Sequence, residues 1–508
     1  MYLEQVFIEN FRSYKDRVTI KIEDLTVFVG KNDIGKSTIL EALDIFFNDG
    51  KGIVKLDKED INKDAMASGN MEIVIGVIFS DLPQHLTIDA TNPTSLHDEY
   101  LLNKEGKLEI IKRFPNAGKE KVFVKAYHPT NEKCADLLLK KISDLKKLLL
   151  DDMLCQDKTR SAQVRKAIWN HYREELGLME IEIELVKLDE KNIWDQLKNY
   201  IPLYALFQSD RKNSDGDSEI QDPMKLAVQE ILKNPDLINS LNQVALKVEE
   251  TLRIVAQSTL EKLKEMNSEV ANSLTPVIPS PSSLKWADVF KSVSITGDDN
   301  IPINKRGSGV KRLILLNFFR AEVERRRLEN STSSIIYAIE EPETSQHPRH
   351  QMKLIQAFKD LAQTDKTQIL LTTHSPPIVK MLSFTNLRLI RNAPNKEIVT
   401  VEPKNLPYPS LNEVNFYAFD DVNDEYHNEL YGYIESEGKL NDYKKGKPEV
   451  KYSQVHRDGR IVPKNIIFSE YIRHQIHHPE NNENPRFTND QLYQSINDMR
   501  LFLQKEND

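Results

Sequence analysis

The apolar positions of the first eighty residues come in short, strand-like bursts. Val6, Ile8 and Phe11 open a strand-and-turn pattern, and Val18-Thr19-Ile20-Lys21-Ile22 alternates with period two. Leu25-Thr26-Val27-Phe28-Val29 is a short apolar run that stops at Gly30, the signature of a buried central strand. The period then lengthens to that of a helix from Lys36 to Phe47, which Asn48-Asp49-Gly50 ends. Met71 to Phe79 reads as a further strand. From Gln84 to Lys198 the pattern is less regular, with helices expected over Ala135–Met153 and Ser161–Glu175. Met224 to Met266 is strongly helical, yet too few heptads persist for a long coiled-coil arm. Pro276, Pro279 and Pro281 mark a boundary. Strand-like apolar runs return over Ser334–Glu343, ending in carboxylates, and from Gln368, ending in His374.

These patterns predict an α/β protein of four parts. A first lobe spans 1–83 and a largely helical insertion 84–283, a candidate dimerisation region. A second lobe spans 284–402, and a mainly helical C-terminal module 403–508 follows a linker at Leu406–Ser410. No internal repeat is visible. With 508 residues the chain can bury a large core.

Composition narrows the picture. Hydrophobic residues make up 39% and charged residues 29%, the balance of a soluble, helix-rich cytoplasmic protein. No apolar run is long enough to span a bilayer, and the N-terminus lacks the basic and apolar regions of an export signal. Cys134 and Cys155 have no metal or redox spacing and read as reduced thiols. A net charge of −9 excludes a global positive field for nucleic acid, so any such contact needs a local patch.

Candidate chemistry lies in four places. Gly30-Lys31-Asn32-Asp33-Ile34-Gly35-Lys36-Ser37 fits the G-x-x-x-x-G-K-[ST] phosphate loop and sits between a strand and a helix. Gly30 and Gly35 let the backbone curl its N–H groups onto phosphate, and the helix N-terminus adds positive field. Asn32 and Thr38 complete the candidate contacts, Lys36 would neutralise the β- and γ-phosphates, and Ser37 would ligate Mg²⁺. Some 300 residues on, Ser334 to Glu343 is an apolar strand ending in carboxylates. Glu340 is assigned to Mg²⁺ and Glu341 to general base or water orientation. His374 ends another buried strand, where a histidine can hydrogen-bond a γ-phosphate. Lys305-Arg306-Gly307-Ser308-Gly309-Val310 precedes an apolar helix, so Gly307, Ser308 and Gly309 form a second anion-binding nest. Being so late in sequence, that nest is expected to cap the γ-phosphate held by a second copy of the chain.

In this order the four elements resemble the ATPase heads of the ABC superfamily. The branch they are most similar to holds the RecF, chromosome-structural-maintenance (SMC) and overcoming-lysogenisation-defect (OLD) ATPases. The resemblance implies a two-lobed ABC-type P-loop head with mixed and parallel sheet, ATP and Mg²⁺ as ligands, and homodimers or higher homo-oligomers joined through sandwiched ATP. Asn10-Phe11-Arg12-Ser13-Tyr14 matches the branch's opening, in which an arginine, here Arg12, reaches the nucleotide. The resemblance makes Ser308 the signature serine, places the D-loop near Ser345-Gln346-His347-Pro348 and makes His374 the switch histidine. Glu340 stands where the pattern usually has an aspartate. Gln208, in Leu206-Phe207-Gln208-Ser209-Asp210-Arg211 after a strand-like run, is the candidate Q-loop glutamine and a further metal contact, although a plain surface glutamine fits the sequence as well.

The C-terminal part lacks the early Glu and later Asp-x-Asp of the TOPRIM nuclease domain that OLD-like proteins usually carry. Ile466 to His478 reads as a helix, and Arg473 and His478 match the R-x4-H spacing of HEPN ribonucleases, with His474 as the intervening polar residue. In such a site His478 would move a proton from a ribose 2′-OH and Arg473 would steady the phosphorane charge. Lys439 to Arg460, with seven Lys/Arg against three Asp/Glu, could attract a phosphate backbone. The histidines also fit a polar helix end or a metal site. Phe487 to Leu492 reads as a capping box opening a helix with Leu492, Ile496, Met499 and Leu503 on one face.

The resemblance implies a bacterial ATPase of anti-phage defence whose nucleotide state controls a toxic nuclease and answers a phage-encoded trigger. Two placements of the effector stay open: this chain's own HEPN-like segment, acting on RNA such as tRNA, or a separate nuclease subunit that this chain holds. A DNA-repair ATPase of the RecF/SMC kind is the third reading.

Overall fold

A computed structural model describes residues 1–50, 52–89, 92–185, 193–208, 230–266, 334–344, 348–392, 396–401, 406, 410–456 and 459–507. The chain divides into two units, one formed by 1–25 with 37–370 and the other by 26–36 with 371–508. The apolar helix expected after Val310 and the nest at Gly307, Ser308 and Gly309 lie outside the described residues, as do Ser345, Gln346 and His347. Among the described residues no helix is long and apolar enough to cross a membrane.

The first unit contains a six-stranded antiparallel sheet. Its order is Val18–Lys21, Tyr2–Glu9, Glu72–Ser80, Leu108–Pro115, Lys121–Pro129 and Leu178–Glu184. Phe7 pairs with Gly76, whose missing side chain leaves room for the Phe7 ring; a Cβ there would fall 2.0 Å from it. The last three strands correct the sequence expectation for 84–283, which reads as a largely helical insertion. The reason is electrostatic. Lys112, Arg113, Lys125, Glu180 and Glu182 put charge into these strands, and the fold pairs them. Lys112, fully buried, meets Asp49 and Glu120 and lies 4.9 Å from the Trp194 ring. Arg113 bridges Glu72 and Glu182. Such pairing lets a strand carry charge without the desolvation cost of a lone ion. The helix expected over Ala135–Met153 shrinks to a 3₁₀ turn, Leu137–Leu139, and a short helix, Ile142–Lys147.

The same unit holds a parallel pair, Leu203–Phe207 with Ile335–Glu340, in which Phe207 stands beside Ile339. Both are strongly apolar and buried, as parallel strands covered on two faces must be. The helix Lys36–Phe47 packs Ile39, Leu40, Leu43, Ile45 and Phe46 out of solvent. Buried Tyr204 donates to the Leu40 carbonyl at 2.6 Å and stacks on Phe47, fixing the strand Leu203–Phe207 against this helix. Gln368 holds the first strand by exchanging two hydrogen bonds with the Leu3 backbone at 2.9 and 2.8 Å.

In the second unit, Leu387–Asn392 runs parallel to the strand Leu25–Val29 and pairs antiparallel with Lys396–Thr400. Its C-terminal part is built on the helices Leu411–Phe419, Asp424–Ser436, Phe468–His477 and Asn489–Asn507. Leu492, Ile496, Met499 and Leu503 are buried together with Tyr426, Leu430 and Ile434. The capping box forms: Thr488 N–H donates to Gln491 Oε1 and Gln491 N–H to Thr488 Oγ1. A β-hairpin, Glu449–Val455 with Ile461–Ile467, adds to the helices that the sequence predicts for this module. It takes Ile466 out of the expected helix, which begins at Phe468.

A buried polar chain crosses this core. Tyr443 donates to Asp498 at 2.8 Å, so Ser469 donates to Tyr443, Ser495 to Ser469, and His427 Nε2–H to Ser495. That order assigns His427 the neutral Nε2–H tautomer. Burial, reinforced by the charge of Arg473, lowers its pKa from 6.5 to about 3. In this case the unfolded chain binds the extra proton. The stabilisation is therefore complete above about pH 6.5 and falls as pH drops toward 3, by about 1.4 kcal/mol per pH unit. Acid unfolding of the wild type should take up one proton more than unfolding of His427→Asn, measured from the pH dependence of denaturant midpoints. Equal slopes in the two proteins would overturn the assignment.

Candidate functional site

Two glycines shape the phosphate loop. Gly30 has φ 153° and Gly35 φ 102°, and a Cβ on Gly30 would lie 3.0 Å from Ile34 and 3.1 Å from the Ile390 carbonyl. Only glycine meets both demands. Between them Asp33 also adopts a left-handed backbone, φ 60°, and Asn32 is exposed at the turn. Lys36, 5% exposed, curls back over the loop and donates from Nζ to the carbonyls of Gly30 and Lys31, both at 2.8 Å. Lys396 braces the same loop through the Ile34 carbonyl at 2.6 Å. The lysine charge is thus anchored over a loop that leads into a helix N-terminus, which favours anionic oxygens.

In the other unit, Ser37 Oγ donates to Glu340 Oε1 across 303 residues of sequence. Gln208 follows directly on Phe207, and Glu340 on Ile339, so the parallel register brings the two residues to neighbouring strand ends. The Gln208 Nε2 donates to Glu41 Oε1 at 3.0 Å, and its Oε1 is buried with no hydrogen-bond partner among the described residues. Hydroxyl, carboxylate and amide carbonyl are hard oxygen donors of the kind Mg²⁺ prefers. The donor set therefore fits the metal expected with a nucleotide. Among the described residues no group of three or more His, Cys, Asp or Glu is placed to hold a metal.

Arg12 adopts a left-handed backbone, φ 49°, and its guanidinium is held by Glu41 and, at 2.7 Å, by Asp60. Burial opposes its charge, but the two carboxylates outweigh burial and raise its pKa. Glu41 and Asp60 escaped the sequence reading. The signal for Glu41 was present: it lies four residues past Ser37, one turn along the same helix face. Thr38 is buried within that helix.

Glu341 has φ 40° although it is not glycine and precedes Pro342. Such a backbone costs about 1–2 kcal/mol and departs from the extended form favoured before proline. Strain of this kind is concentrated at working sites. His374 follows the buried strand Thr367–Thr373, and the next residue, Ser375, donates its N–H to Thr373 Oγ1 at 3.0 Å.

In the C-terminal module Arg473 and His478 have separate partners. Arg473 pairs with Glu435 at 2.8 Å and lies 4.4 Å over the Tyr431 ring. His478 caps the helix end, largely exposed, with Nδ1 3.2 Å from Glu480. His474 stacks on Tyr452 at 5.0 Å, and burial lowers its pKa. Of the basic stretch, Lys444 and Lys447 are committed to Glu470 and Asp498. Cys134 and Cys155 are free thiols.

The AAA_15 family, described as an AAA ATPase domain, matches residues 1–379. An OLD nuclease of Thermus scotoductus is 31% identical over 116 residues, 22% of this chain and 21% of that protein. An endonuclease GajA of Bacillus cereus strain VD045 is 24% identical over 78% of this chain and 59% of its own length. A second GajA, from strain HuB5-5, is 22% identical over 74% of this chain and 55% of its own length. The chain thus spans under two thirds of each of these relatives. Among solved structures, an Smc head bound to the C-winged helix domain of ScpA covers 79% of this chain and 98% of its own, at 13% identity and TM-score 0.34. An SMC head domain from Thermotoga maritima covers 79% of this chain and 100% of its own, at 12% identity and TM-score 0.31. At these scores neither likeness bears on function.

Proposed function

We propose, on the premise that this chain belongs to the AAA_15 family of AAA ATPase domains, that it binds Mg-ATP, hydrolyses it, and uses its nucleotide state to control a nuclease. The observation that carries this reading is the meeting of Ser37 with Glu340, beside the strand end that bears Gln208. Two segments remote in sequence supply oxygen donors next to a phosphate-loop helix.

In this reading the backbone N–H groups of Gly30 to Gly35 hold the phosphate chain, and Lys36 offsets its charge. Ser37, Glu340 and Gln208 would hold Mg²⁺, which when bound draws electron density from the phosphate oxygens and eases P–O cleavage. Glu341 orients the attacking water and takes its proton. His374 hydrogen-bonds the γ-phosphate, and Arg12 offers a further positive charge. Gly307, Ser308 and Gly309 of a second copy close over the γ-phosphate, which makes ATP the link between subunits.

The engagement of Arg473 with Glu435 and Tyr431 favours a separate nuclease subunit over cleavage by Arg473 and His478. The test is to purify the chain, measure phosphate release from ATP with Mg²⁺, and assay RNA and DNA for cleavage. ATP turnover without cleavage, with a nuclease joining only in the ATP state, is the expected result. Cleavage lost in Arg473→Ala and His478→Ala would place the effector in this chain, and absence of ATP binding would refute the reading altogether.

A further inference from the structure

Two hydrogen-bond donors from distant parts of the chain converge on one carboxylate. Gln208, at the end of a core strand, donates its amide N–H to Glu41 Oε1, and Arg12, from the turn after the first strand, donates to Glu41 Oε2. Glu41 is largely buried, its side chain 13% exposed, and stands one helical turn beyond Ser37. A carboxylate can only accept, so it dictates which end of the Gln208 amide faces it. The NH₂ group must turn to Glu41, and the carbonyl oxygen must turn away. That oxygen is the buried acceptor with no hydrogen-bond partner among the described residues. Left to itself, an amide at this place could present either end, and an NH₂ group cannot ligate a cation. Arg12 keeps Glu41 in place, and Asp60 supplies the second carboxylate that holds Arg12.

We propose that Glu41 is a positioning residue for the metal site: by accepting the Gln208 amide N–H it fixes the Gln208 carbonyl oxygen as a metal ligand, and through Arg12 it ties that orientation to the N-terminal turn. The inference rests on the Mg-ATP reading above and adds to it the residue that sets the polarity of the Gln208 amide. Groups that orient a metal ligand typically change metal affinity or activity about 10- to 100-fold when removed.

The experiment is equilibrium binding of a fluorescent ATP analogue, titrated with and without Mg²⁺, for wild type, Glu41→Gln, Gln208→Ala and the double variant. For each protein the metal-free affinity is the baseline from which the Mg²⁺-dependent gain is read. The Mg²⁺ concentration needed for the metal-dependent gain should rise about 10- to 100-fold in each single variant. The double variant should be no worse than Gln208→Ala, since both changes break one chain of action. Multiplied effects in the double variant, or an unchanged Mg²⁺ requirement in Glu41→Gln, overturn the proposal. Should Glu41→Gln fail to fold, Glu41→Asp keeps the charge beside Arg12 and shortens the reach to Gln208. It should show the same raised Mg²⁺ requirement, and a wild-type requirement in that variant counts against the idea. A wild type that binds the analogue normally while the cycle is additive removes only the role of Glu41; a wild type that binds no ATP removes both readings.

Discussion

Lys36→Ala is expected to abolish ATP binding at any practical concentration, weakening it about 100-fold or more. The side chain is nearly inaccessible, and two backbone carbonyls at 2.8 Å hold its ammonium over the loop. A charge fixed there meets the triphosphate without first losing side-chain freedom. Charge-assisted hydrogen bonds are about twice as strong as neutral ones, and several would be lost together. The alanine variant also frees the Gly30 and Lys31 carbonyls to repel the incoming phosphate. Isothermal titration with ATP measures the loss directly. Binding within about threefold of wild type would show that this loop does not hold the phosphates.

Glu341→Gln is expected to slow hydrolysis about 100-fold or more, the usual scale of general-base catalysis, while ATP stays bound. The substitution keeps size and hydrogen-bonding shape and removes only the proton acceptor. Glu341 suits the task because the chain holds it in a left-handed conformation directly after the buried strand Ile335–Glu340. Single-turnover release of phosphate separates chemistry from binding. ATP retained on the protein through gel filtration, in complexes of two copies, is the expected signature. Unchanged turnover would remove Glu341 from the role of base. The ATP-retaining form is also the one from which a nuclease partner should be recovered.

Several structural features were legible from local pattern. The helix Lys36–Phe47 and the strands Leu25–Val29 and Thr367–Thr373 match the apolar runs that announced them. The capping box at Thr488 and Gln491 appears where the sequence puts it, because both of its bonds join residues three apart. Elsewhere local pattern misled. Leu108–Pro115 and Lys121–Pro129 carry charges whose partners lie elsewhere in the chain, Asp49 and Glu72 for the first strand and Glu180 for the second. Without those partners in view the strands look irregular. The hairpin Glu449–Val455 with Ile461–Ile467 was hidden for a related reason, since its Lys and Pro residues obscure a two-residue period.

The sequence by itself determined the phosphate loop, the acidic strand end and the order in which they occur, because each depends on residues that are neighbours in the chain. Only the tertiary structure decided that Gln208 stands beside Glu340, and that Glu41 joins it to Arg12. Pairing between strands and convergence on a shared carboxylate are set by burial and register across hundreds of residues. No local period records them.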